Sequence, residues 1–282
     1  MLSFGQRLDA AFDASGNLCL GIDPHSFLLD AWGFADTAVG ARDFGLRAVE
    51  AAAGRIGIVK PQVAFFERFG SAGYAALEDV IAAARAAGLL VIADAKRGDV
   101  GSTVAAYGSA WLSPGSPLES DAMTISAYQG VGSLAEPMAL ARATGKGLFV
   151  LAATSNPESV ATQTAVMTRG AYSGSTVAGG IVAEVDVLNA ASGGLGSVGV
   201  VLGATTNPLD YHLGAGVLAY TPILAPGFGE QGALVSNVRG IYGDLSDNVI
   251  VNVGRSVLKG GYAALAQTLE RTTDELEQAL AQ

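Results

Sequence analysis

Apolar residues fall in short runs along this chain, with no long block. LCLGI (18–22), IGIVK (56–60), LLVIAD (89–94), AMTIS (122–126), LFVLAA (148–153), VGVVLGA (198–204), TPILAPG (221–227) and NVIVNVG (248–254) are each strand-length. They are apolar at consecutive positions, as in parallel strands covered on both faces. Between them, apolar residues recur at helical spacing over Ala41–Ala53, Tyr74–Ala87, Val104–Leu112, Val177–Ala191 and Ala263–Ala281. Phe4, Leu8, Ala11 and Phe12 keep the same spacing and predict a short amphipathic helix before the first strand. About eight strand–helix units in 282 residues is the pattern of a single (β/α)8 barrel, usually about 250 residues long. A doubly wound sheet is the structural alternative, but its GxGxxG turn does not follow the first strand, where the text reads GIDPH. Ser26–Thr37 and Thr154–Ser197 are longer than a minimal barrel needs. No linker or low-complexity run divides the chain, so one domain is expected over 1–282.

Composition narrows the classes. The net charge of −10 argues against a broad nucleic-acid footprint, which needs clustered Lys and Arg. A small anionic ligand remains compatible if a few basic residues converge. Cys19 is the single cysteine, so no intrachain disulfide forms and a reducing compartment is expected; in its apolar run it reads as a small core residue. The N-terminus lacks the basic and apolar regions of a signal peptide. No stretch reaches the roughly 18 consecutive apolar residues of a membrane span. A cytoplasmic protein is expected.

Charged residues make up only 15% of the chain, against roughly 25% in an average globular domain. In VIADAKRGDVGST (91–103) four of them nevertheless fall within six positions. Chemistry in a barrel collects at the C-terminal strand ends. Those ends carry Asp23, Lys60 with Gln62, Asp94 with Lys96, Ser126, Thr154 with Ser155, Thr205 with Thr206, Gln231 and Arg255. Asp94 and Lys96, two apart on a strand, are expected to face the same side. Asp99 and Thr103 share a helical face if a helix starts near Gly98. With Lys60 from the preceding strand, two ammoniums and two carboxylates can alternate, each favouring its neighbour's charge. Burying such a network costs desolvation that apolar side chains would avoid, which points to function.

A second constellation is GFGEQG (227–232) with NVGRS (252–256). Loops after barrel strands seven and eight often hold phosphate. Gly227, Gly229 and Gly254 would let backbone N–H groups approach an anion, and Arg255 offers a bidentate fork. His25 and His212 read as structural or surface residues, and Trp32 and Trp111 as packing.

GIDP, VKPQ, DAKRGDVGST, TSNP, APGFGEQG and VGRS, taken together, resemble the orotidine 5′-phosphate decarboxylases, in their longer bacterial branch. The resemblance runs from the first strand to the last. It implies decarboxylation of orotidine 5′-monophosphate to UMP, the last step of de novo pyrimidine nucleotide synthesis, with no cofactor and no metal. It implies that Lys96 protonates C6 as carbon dioxide leaves, that Asp94 lies beside the departing carboxyl, and that Lys60 bonds the ribose and Asp94. It further implies a homodimer with shared sites, in which Asp99 and Thr103 reach the partner's site and Val100 packs near substrate. Asp23 would contact a ribose hydroxyl, Ser155 the pyrimidine edge, Gln231 the space between base and phosphate, and Arg255 the phosphate. Gln62, two after Lys60, could face the ribose. A magnesium-dependent sugar-phosphate decarboxylase or aldolase of the same suprafamily shares D-x-K-x-x-D, but uses a strand-two glutamate where this chain has Lys60. A non-catalytic phosphate-binding barrel is the other alternative; it would need no buried proton donor like Lys96.

Overall fold

The computed structural model describes residues 1–211 and 218–282; His212 lies outside them. The eight expected strands are β1 (Leu18–Ile22), β2 (Ile58–Pro61), β3 (Leu90–Arg97), β4 (Ala122–Ser126), β5 (Gly147–Ala153), β6 (Val198–Leu202), β7 (Ile223–Ala225) and β8 (Val249–Val253). All neighbours pair in parallel and β8 closes on β1, giving a closed (β/α)8 barrel in sequence order.

Helices Ala38–Ala52, Gly70–Ala86, Gly101–Leu112, Val177–Asn189 and Tyr262–Leu280 match the five helical patterns to within a few residues at most ends. A further barrel helix, Ala135–Thr144, is short, carries Pro137 in its first turn and ends on Gly145 at φ 66°. The long Thr154–Ser197 stretch divides in two. Its second half is mostly the helix Val177–Asn189. Its first half holds the short turns Pro157–Ser159 and Val160–Gln163 and a bridge between Val166 and Thr176. Ser26–Thr37 supplies another short helix, Ser26–Ala31. Among the described residues no helix is long and apolar enough to cross a membrane.

Each strand is apolar on both sides because it serves two cores. Val59, Val91, Met123, Val150, Val200 and Val251 face outwards, against the helices. Cys19, Ile58, Ile92, Ala122, Phe149, Val201, Leu224 and Ile250 belong to the second cluster, inside the barrel. Phe4 and Leu8 of the N-terminal helix Phe4–Ser15 join that inner cluster. Phe4 meets Phe149 edge-on, with ring centroids 5.9 Å apart. Two glycines make room for these rings: a Cβ on Gly147 would lie 2.4 Å from Phe4, and one on Gly199 2.5 Å from Phe149. Cys19 is buried there as expected, and burial pushes its thiol pKa up to about 12.

The N-terminal strand ends carry an ion network that the sequence does not single out. Lys146 lies 2.9 Å from Glu119 and 3.7 Å from Asp121, and Asp121 also pairs with Arg7. Asp121 accepts the Val91 N–H at 2.9 Å, which pins β3 to the turn before β4. This face is remote from the other strand ends, and conformational support is its evident work.

Candidate active site

On four strands the inward row turns polar at the C-terminal end. On β2, Ile58 is followed two residues later by Lys60; on β3, Ile92 by Asp94; on β4, Ala122 by Thr124; on β8, Ile250 by Asn252. Lys60 and Asp94 are buried, at 3% and 8% exposure. Lys60 Nζ donates to Asp94 Oδ2 at 2.7 Å. Lys96 Nζ donates to Asp94 Oδ1 at 2.5 Å and to Gln62 Oε1 at 3.3 Å. Asp94 thus holds one ammonium on each carboxylate oxygen.

Lys96 reaches this position by an unexpected route. The even alternation of a strand does not put it there. Ala93 pairs with Met123, but the next paired residue is Arg97, with Ile125, so β3 spends four residues where β4 spends two. Lys96 takes up the extra length in the left-handed region, at φ 49°. That conformation is costly for a side chain with a Cβ and is typically maintained only where the surroundings enforce it.

The charges set one another. Burial opposes the Asp94 anion, yet Lys60 and Lys96 outweigh it and hold Asp94 far below the usual carboxylate range. Burial likewise opposes the Lys60 cation, and Asp94 with Asp23 outweighs it, leaving Lys60 above an ordinary lysine. Lys96 is not the buried donor expected, its side chain remaining 46% exposed, yet the solvation it loses among these groups outweighs Asp94. With Lys60 repelling it too, its pKa is lowered despite Asp94.

These groups line a cavity of about 460 Å³. Leu151, Val201 and Leu224 give it an apolar side, and Asp23, Asn252, Ser155 and Gln231 a polar one. Asp23 Oδ1 and Asn252 Oδ1 are buried there with no hydrogen-bond donor among the described residues. Two unmet acceptors in one cavity suit a ligand that brings hydroxyl donors. Ser155 Oγ donates to Gln231 Oε1 at 2.8 Å, so the loops after β5 and β7 meet over the opening. Gln163 fixes the base of that first loop, accepting from Thr154 N at 2.9 Å and donating to Thr154 Oγ1 at 3.0 Å. Another cavity, about 330 Å³, lies beside the N-terminal helix; Arg142 is its only charged lining residue, so it lacks an acid–base array.

In the loop after β7, Gly227, Gly229 and Gly232 all have positive φ (119°, 78° and 107°). A Cβ on Gly229 would come within 2.3 Å of Ser256 Oγ, so this loop lies directly on the first turn that follows β8. The Gly229 N–H is not open to an anion, however: it donates to Ala233 O at 2.8 Å, closing the loop on itself. Its expected role is corrected to close approach. A Cβ on Gly254 would face Asp23 Oδ2 at 3.7 Å. Arg255 begins the short helix Arg255–Leu258, and its guanidinium makes no hydrogen bond or ion pair among the described residues. His25 is packed against Phe65 at 4.1 Å between ring centroids; burial lowers its pKa, and Arg255 and Arg68 lower it further against Asp23.

Asp99, Val100 and Thr103 do not join this cavity. The next helix starts at Gly101, with Val100 as its N-cap, so Asp99 precedes the helix and the anticipated shared face with Thr103 does not form. Among the described residues Asp99 Oδ1 accepts only the neighbouring Val100 N–H, at 2.8 Å, while Val100 and Thr103 are exposed.

Comparison with known proteins settles the family. The family model described as "Orotidine 5'-phosphate decarboxylase / HUMPS family" matches residues 16–267. The orotidine 5'-phosphate decarboxylase of Salinispora arenicola is 48% identical over 282 residues, covering 99% of each chain. That of Streptomyces coelicolor is 47% identical over 283 residues, again covering 99% of each. Among solved structures, a Streptomyces avermitilis protein superposes with a TM-score of 0.93 at 46% identity, covering 100% of this chain and 97% of that one. Leishmania donovani OMP decarboxylase superposes with a TM-score of 0.78 at 28% identity, covering 100% of both.

The chain belongs to the orotidine 5′-phosphate decarboxylase family.

Of the residues expected from the resemblance to orotidine 5′-phosphate decarboxylases, Asp23, Lys60, Gln62, Asp94, Lys96, Ser155 and Gln231 meet in one cavity. Thr124, Gln163 and Asn252 line it as well. Sequence reasoning passed over these three, although Thr124 and Asn252 break apolar strands at inward positions, and that signal could have found them.

Proposed function

We propose that this chain decarboxylates orotidine 5′-monophosphate to UMP and carbon dioxide, the last step of de novo UMP synthesis, and that Lys60, Asp94 and Lys96 surround the reacting carbon. The observation that carries this reading is the carboxylate of Asp94 held between two ammoniums inside a cavity whose remaining walls suit a nucleotide. The C6–carboxyl bond breaks, carbon dioxide leaves, and the electron pair stays on C6. Lys96 lies in reach to stabilise that charge and then give C6 its proton, becoming neutral until solvent reprotonates it. The stabilising groups are already ordered by their mutual ion pairs, so little reorganisation is needed as charge develops. The scheme calls on no cofactor and no metal.

Binding divides along the cavity. The apolar side formed by Leu151, Val201 and Leu224 accepts the base, and Ser155 and Gln231 read its edge. Lys60, Gln62 and the unmet acceptors of Asp23 and Asn252 suit the ribose hydroxyls. Arg255, with the backbone around Gly227 and Gly254, holds the phosphate, and Gly229 lets the loop settle on Ser256. Phosphate binding remote from the bond that breaks can hold this loop shut and sustain a crowded site.

The working unit in this reading is a homodimer. Within one chain the two lysines share a single hydrogen-bonded carboxylate, that of Asp94. Asp99 of the partner subunit would add a further carboxylate beside Lys96 and raise its lowered pKa, keeping the proton donor charged. Thr103 and Val100 would approach the partner's substrate from the same segment. The test is direct: mixed with orotidine 5′-monophosphate, the protein should form UMP and carbon dioxide in equal amounts, followed by the change in pyrimidine absorbance. Folded protein that binds UMP but forms no product would overturn the proposal.

A further inference from the structure

We propose that Thr124 is a positioning residue for the proton donor, acting through both the main chain and the side chain of Lys96. The inference rests on the reading of Lys96 as the residue that protonates C6.

The starting point is the irregularity of β3. Where Asp94–Lys96 bulges between the pairings at Ala93 and Arg97, Lys96 is forced to φ 49°. Among the described residues Leu218 is the only other non-glycine residue with a positive φ, and it lies outside the site. The bulge also takes the Lys96 N–H out of the regular ladder to β4, leaving a part-buried donor to be met. Thr124 Oγ1 meets it, accepting at 3.0 Å.

The same hydroxyl has one proton to give, and it gives it to Asp94 Oδ1 at 2.9 Å. Asp94 Oδ1 is also the oxygen that receives Lys96 Nζ. A closed ring results: Lys96 N–H to Thr124, Thr124 to Asp94, and the Lys96 ammonium to Asp94. One hydroxyl therefore fixes the backbone from which the lysine side chain starts and the carboxylate at which it ends. Thr124 is 1% exposed, so little room remains for solvent to take over. The two bonds use the hydroxyl as acceptor and donor at once, which valine cannot reproduce and serine can. The β-branch of threonine further restricts its side-chain rotation on the strand. Because its only proton is engaged by Asp94, Thr124 acts on the reaction through Lys96.

A purely structural role predicts something different. Filling space would make Thr124→Val nearly silent, since the two side chains have almost the same shape. Holding Lys96 makes the hydroxyl, not the volume, decisive. Misplacement of a reacting group by about 1 Å can cost on the order of 100-fold in rate.

The experiment compares Thr124→Val, Thr124→Ala and Thr124→Ser with the unaltered protein, measuring kcat, KM for orotidine 5′-monophosphate, UMP binding and thermal unfolding. Thr124→Val should lower kcat by about 100-fold, with KM and UMP affinity changed by less than about threefold, because binding groups stay in place while the reacting group moves. Thr124→Ala should show the same split, which covers the case of a valine variant that does not fold. Thr124→Ser should recover most of kcat. A valine variant with unaltered kcat, a loss confined to KM, or a serine variant as impaired as the valine one would each overturn the proposal. Absence of decarboxylation in the unaltered, folded protein would instead defeat the functional reading itself, so the two failures are distinguishable.

Discussion

Ser155 Oγ and Gln231 Oε1 are 2.8 Å apart, joining loops separated by 76 residues of sequence. The contact places a side chain after β5 against one after β7, across the mouth of the cavity that holds Lys60, Asp94 and Lys96. Gln231→Ala removes this bridge and leaves the charged array intact. It should raise KM for orotidine 5′-monophosphate about tenfold, the worth of a lost hydrogen bond, with a smaller change in kcat. Steady-state kinetics on the variant checks this.

The glycine that lets the same loop settle should be equally exacting. Gly229 has φ 78°, and an added Cβ would meet Ser256 Oγ at 2.3 Å and Cβ at 2.5 Å. Gly229→Ala should therefore raise KM and weaken UMP binding by more than Gly54→Ala, a substitution at another positive-φ glycine with open space around it, alters either. Isothermal titration with UMP on both variants makes the comparison.

Shared sites predict complementation. Lys96→Ala and Asp99→Ala homodimers should both be nearly inactive. In a mixed dimer one site keeps Lys96 from one subunit and Asp99 from the other. Statistical exchange makes half the dimers mixed, each with one good site of two, so activity should recover to roughly a quarter of normal. No recovery, with mixed dimers shown to form, contradicts a shared site. The same pairing fixes a pH effect: removing the Asp99 carboxylate disfavours the protonated form of Lys96. The residual kcat/KM of Asp99→Asn should fall off on the alkaline side at a lower pH than that of the unaltered enzyme.

Stability against pH follows from the signs of two shifts. Asp94 is depressed, so its contribution is present above the unfolded-state value of about 3.9 and is lost as pH falls towards its lower folded value. Lys60 is raised, so its contribution is present below the unfolded-state value of about 10.4 and is lost as pH rises towards its higher folded value. Urea unfolding should show both contributions intact across the neutral range. The gap between the unaltered protein and Asp94→Asn should narrow as acid protonates Asp94. Chelating agents should leave both activity and unfolding unchanged.

Much of this was legible in the sequence because it rests on local rules. Eight doubly apolar runs predict eight doubly covered strands, and all eight form within a few residues of their expected bounds, apart from the longer C-terminal end of β3 and the short β7. Lys60, Asp94 and Asp23 were visible as polar residues ending apolar strands. The route taken by Lys96 was not visible, because its bulge depends on register against β4, and periodicity within β3 carries no trace of it. Thr124 was hidden for the same reason: its importance comes from partners 28 and 30 residues away. Asp99 illustrates the opposite limit. Its spacing from Thr103 suggested a common helical face, yet the helix begins two residues after Asp99.

The central claim is that Lys96 supplies the proton that completes decarboxylation. The most direct measurement is a single-turnover assay for UMP with Lys96→Ala, with UMP affinity and thermal unfolding as controls. The account predicts a folded protein that binds UMP and forms product at least about 1,000-fold more slowly, since both electrostatic stabilisation and the proton donor are lost. UMP formation at a rate close to that of the unaltered enzyme would contradict it.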